Sequence, residues 1–243
     1  MLDSTQVILF DAAGTLFDVH GSVGEIYGRI ARKYGVDADP VTLERAFSDA
    51  FRAKNAEGFS AHAGGDVRTE RLWWMDVVRA VFAGRMPGGL LERYFEEVFD
   101  TFGRAESWDL FPDTVPGLER LWSHGYRLGV LSNFDSRLFK LLANLGLDRY
   151  FEHVIISWRA GAAKPDRRIF DCAVDAMSAK PGEAVHVGDS IVDDYEGARQ
   201  AGLGAILLDR RRRHLHQEGI VRVESLLALN DMLGPSASGA HPA

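Results

Sequence analysis

Cysteine is nearly absent: Cys172 is the only one in 243 residues. That excludes an internal disulfide and any zinc site built on cysteine pairs, and it fits a reducing compartment. A basic surplus is also missing, since 28 Lys and Arg stand against 35 Asp and Glu for a net charge of -7. No nucleic-acid partner is expected from that balance. The single basic run, Arg210 to Arg213 beside His214 and His216, reads as a solvated turn after a strand. Long apolar runs are lacking as well. The opening MLDSTQVILF has no basic stretch ahead of its short apolar run, which is too brief for a membrane span or a secretory leader. A cytoplasmic protein with no membrane contact is the expectation. Internal repeats and low-complexity tracts are absent too.

What is present is ordinary globular usage, 46% hydrophobic and 26% charged, enough for a core domain plus an insert. Short apolar runs at 7–10, 127–131, 153–157, 184–187 and 205–208 each end near Gly, Asp, Ser or Asn, as buried parallel strands do. Between them, 115–125, 136–146, 165–177 and 194–202 carry apolar residues at helical spacing and finish at or near a glycine. Strand alternating with helix predicts an α/β fold, a doubly wound parallel sheet with ligands at the carboxyl ends of its strands. From about Val19 to Asp109 the rhythm changes to helix after helix, at 23–35, 41–55, 70–84 and 89–103, with no convincing strand. An all-helical insert placed there would sit over the strand ends as a lid. Trp73, Trp74 and Trp108 lie in or beside it and read as bundle core. The small, polar stretch 236–243 is expected to fray.

Four groups of residues fall at predicted strand ends. Asp11, in 7-VILFDAAGTLFD-18, is followed by a tight turn at Gly14 and Thr15, and reads equally as a nucleophile, a metal ligand or a turn-forming aspartate. Ser132 and Asn133 bring neutral donors that suit phosphate oxygens, or simply start a turn. Lys164, ahead of Pro165, is held in the loop before a helix, with Pro165 suited to the first helical position. In 185-VHVGDSIVDDYEGARQAG-202, Asp189, Asp193 and Asp194 gather like charges that a hard cation such as Mg2+ would offset; an acidic helix start is the alternative.

Taken together, DAAGTL, LSN, Lys164 in AAKPD and GDSIVDD resemble the four motifs of the haloacid dehalogenase-like (HAD) hydrolase superfamily, over nearly the whole chain. Within it, 71-RLWWMDVV-78 and GSVGEIYGRIA are similar to the haloacid dehalogenase-like hydrolase domain-containing protein 3 group. The resemblance implies a Rossmann-like core, 1–18 and 110–235, with a helical cap, 19–109. It also implies Asp11 as the nucleophile toward a phosphorylated small molecule and Thr15 as its orienting group. Ser132, Asn133 and Lys164 would then hold the phosphoryl oxygens. Mg2+ would be held by Asp11, the Ala13 carbonyl, Asp189 and Asp194, with Asp193 an alternative to Asp194. Either a monomer or a homodimer is compatible with this reading.

One position departs from the pattern. Family phosphatases usually have a second aspartate two residues after the nucleophile to protonate the leaving group, and here it is Ala13. Losing a general acid costs about 10²- to 10⁴-fold, so a slow or specialised reaction is expected. L-2-haloacid dehalogenases usually carry Tyr at that place and another six residues after the lysine, where this chain has Phe170. Phosphonoacetaldehyde hydrolases do carry Ala there but rely on a cap lysine, for which only Lys33 and Lys54 are available. Phosphonate or carbon–halogen cleavage, or a scaffold that binds phosphate and metal without turnover, are the alternatives.

Overall fold

Four consecutive residues, Val7 to Phe10, are at most 1% exposed, as in a strand covered on both faces. In the computed structural model, which describes residues 4–56 and 67–236, they form β1 (Val7–Phe10). The chain continues through β2 (Phe17–Val19), then α1 (Val23–Lys33), α2 (Pro40–Ala56), α3 (Val67–Val81) and α4 (Gly88–Phe102). It returns by β3 (Trp108–Leu110), α5 (Thr114–Ser123), β4 (Arg127–Ser132), α6 (Arg137–Asn144), β5 (His153–Ile156) and α7 (Ser157–Ala160). The last part is α8 (Arg167–Ala176), β6 (Ala184–Gly188), α9 (Gly197–Ala201), β7 (Gly204–Leu208), β8 (Arg222–Val223) and α10 (Leu226–Leu233).

The main sheet has six parallel strands in the order β5-β4-β1-β6-β7-β8, so the fold is α/β and Rossmann-like. Alternate side chains of β1 feed two separate cores, as the two-residue period of a strand requires. Ile8 and Phe10 pack with Leu118, Leu121, Leu138 and Leu226 from α5, α6 and α10, whereas Val7 and Leu9 pack with Ile169, Phe170 and Ala198 from α8 and α9. The chain leaves β1 toward one edge of the sheet and β6 toward the other. Their carboxyl ends therefore border the crevice where such sheets bind ligands.

Helices α1 to α4 close around their own cluster, including Ile26, Tyr27, Ile30, Val78, Phe82 and Tyr94. In α3 the buried positions Glu70, Trp73, Val77, Val78 and Val81 follow the three-to-four spacing of a one-sided helix. The Ser22 hydroxyl accepts the amide of Glu25 and so starts α1.

The structure differs from the sequence expectation in three places. The span expected to hold no strand does hold one: β3 pairs antiparallel with β2, Phe17 against Leu110 and Val19 against Trp108. These strands have three residues each and are only partly covered, so neither shows a periodic apolar pattern. Pro165 is not the first residue of α8; Asp166 caps that helix by accepting the amide of Arg168, so the helix starts at Arg167. A wide helical turn at Ile191–Glu196 also leads into α9, where an ordinary helix was expected from 194. Of the stretch expected to fray, 237–243 lies outside the described residues. No described helix is long and apolar enough to cross a membrane.

Candidate active site

The Asp11 amide donates to the Val187 carbonyl at 2.9 Å, carrying the β1–β6 ladder one residue beyond the strand. The chain then turns sharply, with the Leu16 amide on the Ala12 carbonyl and the Gly14 amide on the Phe17 carbonyl, both 2.8 Å. Gly14 takes φ +80°, and a Cβ there would lie 2.6 Å from a carboxylate oxygen of Asp189. Any other residue would be strained in backbone and would displace that carboxylate. The turn is braced from outside. Thr114 Oγ1 donates to the Leu16 carbonyl at 2.6 Å, and Arg210 donates to the Thr15 carbonyl through Nε at 3.1 Å and Nη2 at 2.8 Å. Arg210 also pairs with Asp113 at 2.7 Å and covers the Phe111 ring at 4.0 Å. The basic run is therefore not wholly a solvated turn, because its first arginine is a structural strut. Thr15 is fully buried and its hydroxyl has no hydrogen-bond partner, so it makes no bond to Asp11.

Lys164 reaches the same point from the loop before α8. Its side chain is 2% exposed, and its ammonium donates to Asp11 Oδ1 at 2.7 Å and to Asp194 Oδ1 at 2.5 Å. Burial works against the ammonium, but Asp11 and Asp194 outweigh it and raise its pKa above the usual lysine value. Asn133 holds the loop in place: its Nδ2 donates to the Lys164 carbonyl at 3.0 Å and its Oδ1 accepts the Lys164 amide at 2.7 Å. The side chain expected to receive phosphate is thus largely occupied in positioning the lysine. Ser132, at the end of β4, is buried and lines the same pocket.

Asp194 sits deepest. Its Oδ1 accepts both Lys164 and His186 Nε2, the latter at 2.8 Å, and its Oδ2 accepts the Ser190 amide at 2.9 Å. Burial would raise its pKa, yet Lys164 and His186 together hold it well below the usual carboxylate range. A Cβ on Gly188 would overlap this carboxylate, so glycine is needed there. His186 is wholly buried, and burial lowers its pKa against the opposing pull of Asp194; its Nε2 is bonded to Asp194 and its Nδ1 is unpartnered. Sequence reasoning places neither His186 nor Arg210 at the site, although a histidine inside the apolar run AVHVG is a visible anomaly.

Oxygens of Asp11, Asp189 and Asp194 lie within 4.8 Å of one another, and the Lys164 ammonium pairs with two of the three, Asp11 and Asp194. A hard-oxygen set with excess negative charge fits Mg2+. Of the three, Asp194 has most of its lone pairs already engaged, which leaves Asp11 and Asp189 as the better donors. Asp189 opens to the pocket and carries the unrelieved charge: desolvation, then Asp11 and Asp194, push its pKa up to about 7. Asp193 is raised too, chiefly by burial and next by Asp194.

The shift at Asp189 sets the sign of a pH effect on stability. An aspartate raised from 3.8 to about 7 by folding destabilises the folded protein increasingly as pH rises through that window. Asp189 is an exposed residue, so solvent screens most of this effect; without divalent metal, Asp189→Asn should still melt higher than wild type at pH 8, by about 3 °C, and the gap should narrow toward pH 5.5. Adding Mg2+ should reverse the order. A gap that does not change with pH would refute the reading.

The pocket above these residues has a volume of about 740 Å³ and takes Phe51, Asn55, Trp73 and Trp74 from the inserted helices as part of its wall. Three contacts tie those helices to the loop after Ser132. Trp74 Nε1 donates to Asp135 Oδ2 at 2.7 Å, Arg137 Nη1 donates to the Phe99 carbonyl at 2.9 Å, and the Ser136 hydroxyl bonds to Glu70. Trp73 and Trp108 are buried in the sheet-side cluster, as core aromatics; Trp74 is only partly buried and faces the pocket.

A family model described as haloacid dehalogenase-like hydrolase matches residues 5–202. The haloacid dehalogenase-like hydrolase domain-containing protein 3 of Xenopus laevis is 35% identical over 207 residues, 84% of each chain. A glyceraldehyde 3-phosphate phosphatase of Methanothermobacter thermautotrophicus is 38% identical over 116 residues, 45% of this chain and 51% of its own. Among solved structures, a defluorinating L-2-haloacid dehalogenase superposes with a TM-score of 0.78 at 20% identity, covering 94% of this chain and 95% of its own; that likeness is one of fold.

Proposed function

The chain belongs to the haloacid dehalogenase-like hydrolase family, and on that footing we propose that it is a Mg2+-dependent phosphohydrolase acting through Asp11 on a small phosphorylated molecule. The observation that carries this reading is the Asp11–Lys164 contact of 2.7 Å within the acidic cluster at the pocket floor. An anionic nucleophile meets an anionic phosphoryl group slowly unless cationic charge lies between them. Lys164 supplies part of that charge. Mg2+, held by Asp11, Asp189 and the Ala13 carbonyl with Asp194 behind, would supply the rest and align the phosphoryl group.

Asp11 attacks phosphorus, and the bond to the leaving oxygen breaks with its electron pair staying on the leaving group. Water then attacks the aspartyl phosphate, the Asp11–phosphorus bond breaks, and inorganic phosphate departs with the carboxylate restored. Ala13 offers no proton in the first step and accepts none in the second, so pocket water carries both. The favoured substrates are therefore those whose leaving group departs as a stable anion. The glyceraldehyde 3-phosphate phosphatase relative supports phosphate chemistry. Carbon–halogen cleavage is less favoured: Phe170 is fully buried against His186 and brings no hydroxyl to the pocket. This reading divides the chain into a hydrolase core, 1–18 and 110–235, and a specificity cap, 19–109.

Acetyl phosphate tests it, because acetate needs little protonation to leave. Wild type should release phosphate from it only with Mg2+ present. Ala13→Asp should raise turnover of an alkyl ester such as glycerol phosphate by about 10- to 100-fold, the low end of what a general acid contributes. Failure of the wild type on acetyl phosphate with metal present would overturn the proposal.

A further inference from the structure

Beside the catalytic pocket lies a second, apolar chamber of about 220 Å³ between α1–α4 and the loop after β4. The two cavities share Ala13, Phe51, Trp74, Asn133 and Phe134, so a molecule bound at Asp11 meets the mouth of the chamber directly. One wall is a run of near-parallel rings. Phe47 stacks on Phe51 at 5.7 Å and 27°, and Phe51 stacks on Trp74 at 5.7 Å and 28°. Trp108, 5.7 Å from the Phe134 ring, lines the chamber as well, together with Val78 and Val98. The cation in the lining, Arg137, is neutralised by Asp135 at 2.5 Å and stands over Phe99, its Cζ 3.8 Å from the ring centroid. The Asn133 amide is bound to the Lys164 backbone. No uncompensated charge faces the chamber among the described residues.

We propose that the substrate is a phosphate ester carrying a single aromatic ring, with the ring in this chamber and the phosphoryl group at Asp11. This rests on the phosphohydrolase reading and specifies its substrate class. Volume is adequate, since an apolar cavity of about 150 Å³ takes up benzene. Flat rings against flat rings add contact that an aliphatic chain does not match. The chamber also accounts for Ala13, whose residue lines both cavities. A carboxylate there would place charge at the mouth of an apolar space, which is costly. An aryl oxygen leaves as a resonance-stabilised anion, so the proton that an aspartate would deliver is least needed for the ligand the chamber fits.

The test uses ligands that cannot turn over. Phenylphosphonate and methylphosphonate are titrated into the Mg2+-loaded full-length protein by calorimetry, with tryptophan fluorescence in parallel because Trp74 and Trp108 line the chamber. Phenylphosphonate should bind about 30- to 100-fold more tightly, the range that a few apolar atoms in a fitted pocket provide. Val98→Phe, which fills the space, should bring that ratio toward one, with far-ultraviolet circular dichroism confirming its fold. Equal affinity of the wild type for the two phosphonates overturns the inference. If acetyl phosphate is hydrolysed but the ring confers no preference, the chamber assignment fails and the hydrolase stands. If the ring is preferred but no phosphate ester is hydrolysed, the chamber stands and the hydrolase fails.

Discussion

Asp11→Asn is expected to abolish Mg2+-dependent phosphate release, by at least about 10⁴-fold, the scale on which enzymes lose turnover when a covalent nucleophile is removed. The amide has nearly the same size and shape, so Lys164 keeps an oxygen to donate to and the turn through Gly14 is undisturbed. Asparagine lacks the charge needed to attack phosphorus, and no neighbouring carboxylate is placed to substitute. Asp194 is 2% exposed and locked to Lys164, His186 and the Ser190 amide, and Asp189 lies against Gly14. Removing one of three crowded negative charges should also leave the metal-free protein at least as stable as wild type. Loss of activity with an unchanged melting temperature therefore identifies the nucleophile; activity within tenfold of wild type excludes Asp11 from that role.

Lys164→Ala is expected to have the largest effect on stability. Among the described residues the ammonium is the one cation within hydrogen-bond distance of both Asp11 and Asp194. Without it, Asp194 keeps only His186 and an amide as partners inside the protein. Breaking a buried pair by removing one partner costs about 3–5 kcal/mol. For a chain of this size that lowers the melting temperature by about 10 °C. The double variant Lys164→Ala/Asp194→Asn separates the causes. If stranded charge is what destabilises, the second change recovers part of the loss; if lost packing dominates, the two effects add. A drop below about 1 kcal/mol in the single variant would show that the lysine is not the counter-charge of the cluster.

The sheet was legible because strands buried on both faces are unbroken apolar runs, and all five of the longer ones appear close to where those runs lie. The strand ends were legible for the same reason: a carboxylate at the end of such a run, as at Asp11 and Asp189, marks where the chain leaves the core for the crevice. What could not be read was how polar atoms are distributed among partners. Asn133 looks like a phosphate donor in sequence, but nothing in the string reveals that Lys164 presents a free amide and carbonyl to it 31 residues later. Thr15 likewise belongs to a recognisable motif, while its unpartnered hydroxyl is a matter of geometry. Strands β2 and β3 are too short for periodicity to register. The aromatic chamber was invisible because Phe47, Phe51 and Trp74 show the helical spacing of ordinary core residues; only the folded arrangement leaves space between them.

Strand β1 lies at the centre of the sheet, with Val7 opposite Arg127 on one side and Ala184 on the other. During synthesis it precedes both of its neighbours and is flanked on both sides only once β6 has been made. Its apolar edge waits while helices α1 to α4, joined mainly by nearer contacts, gather around their own cluster, and long-range pairings of this kind close slowly. Asp11, one residue beyond β1, cannot meet Asp194 until β6 and the turn after it have left the ribosome. The cluster of Asp11, Asp189 and Asp194 thus assembles late and all at once, and a nascent chain stalled before residue 184 has the inserted helices but neither Asp189 nor Asp194 beneath them.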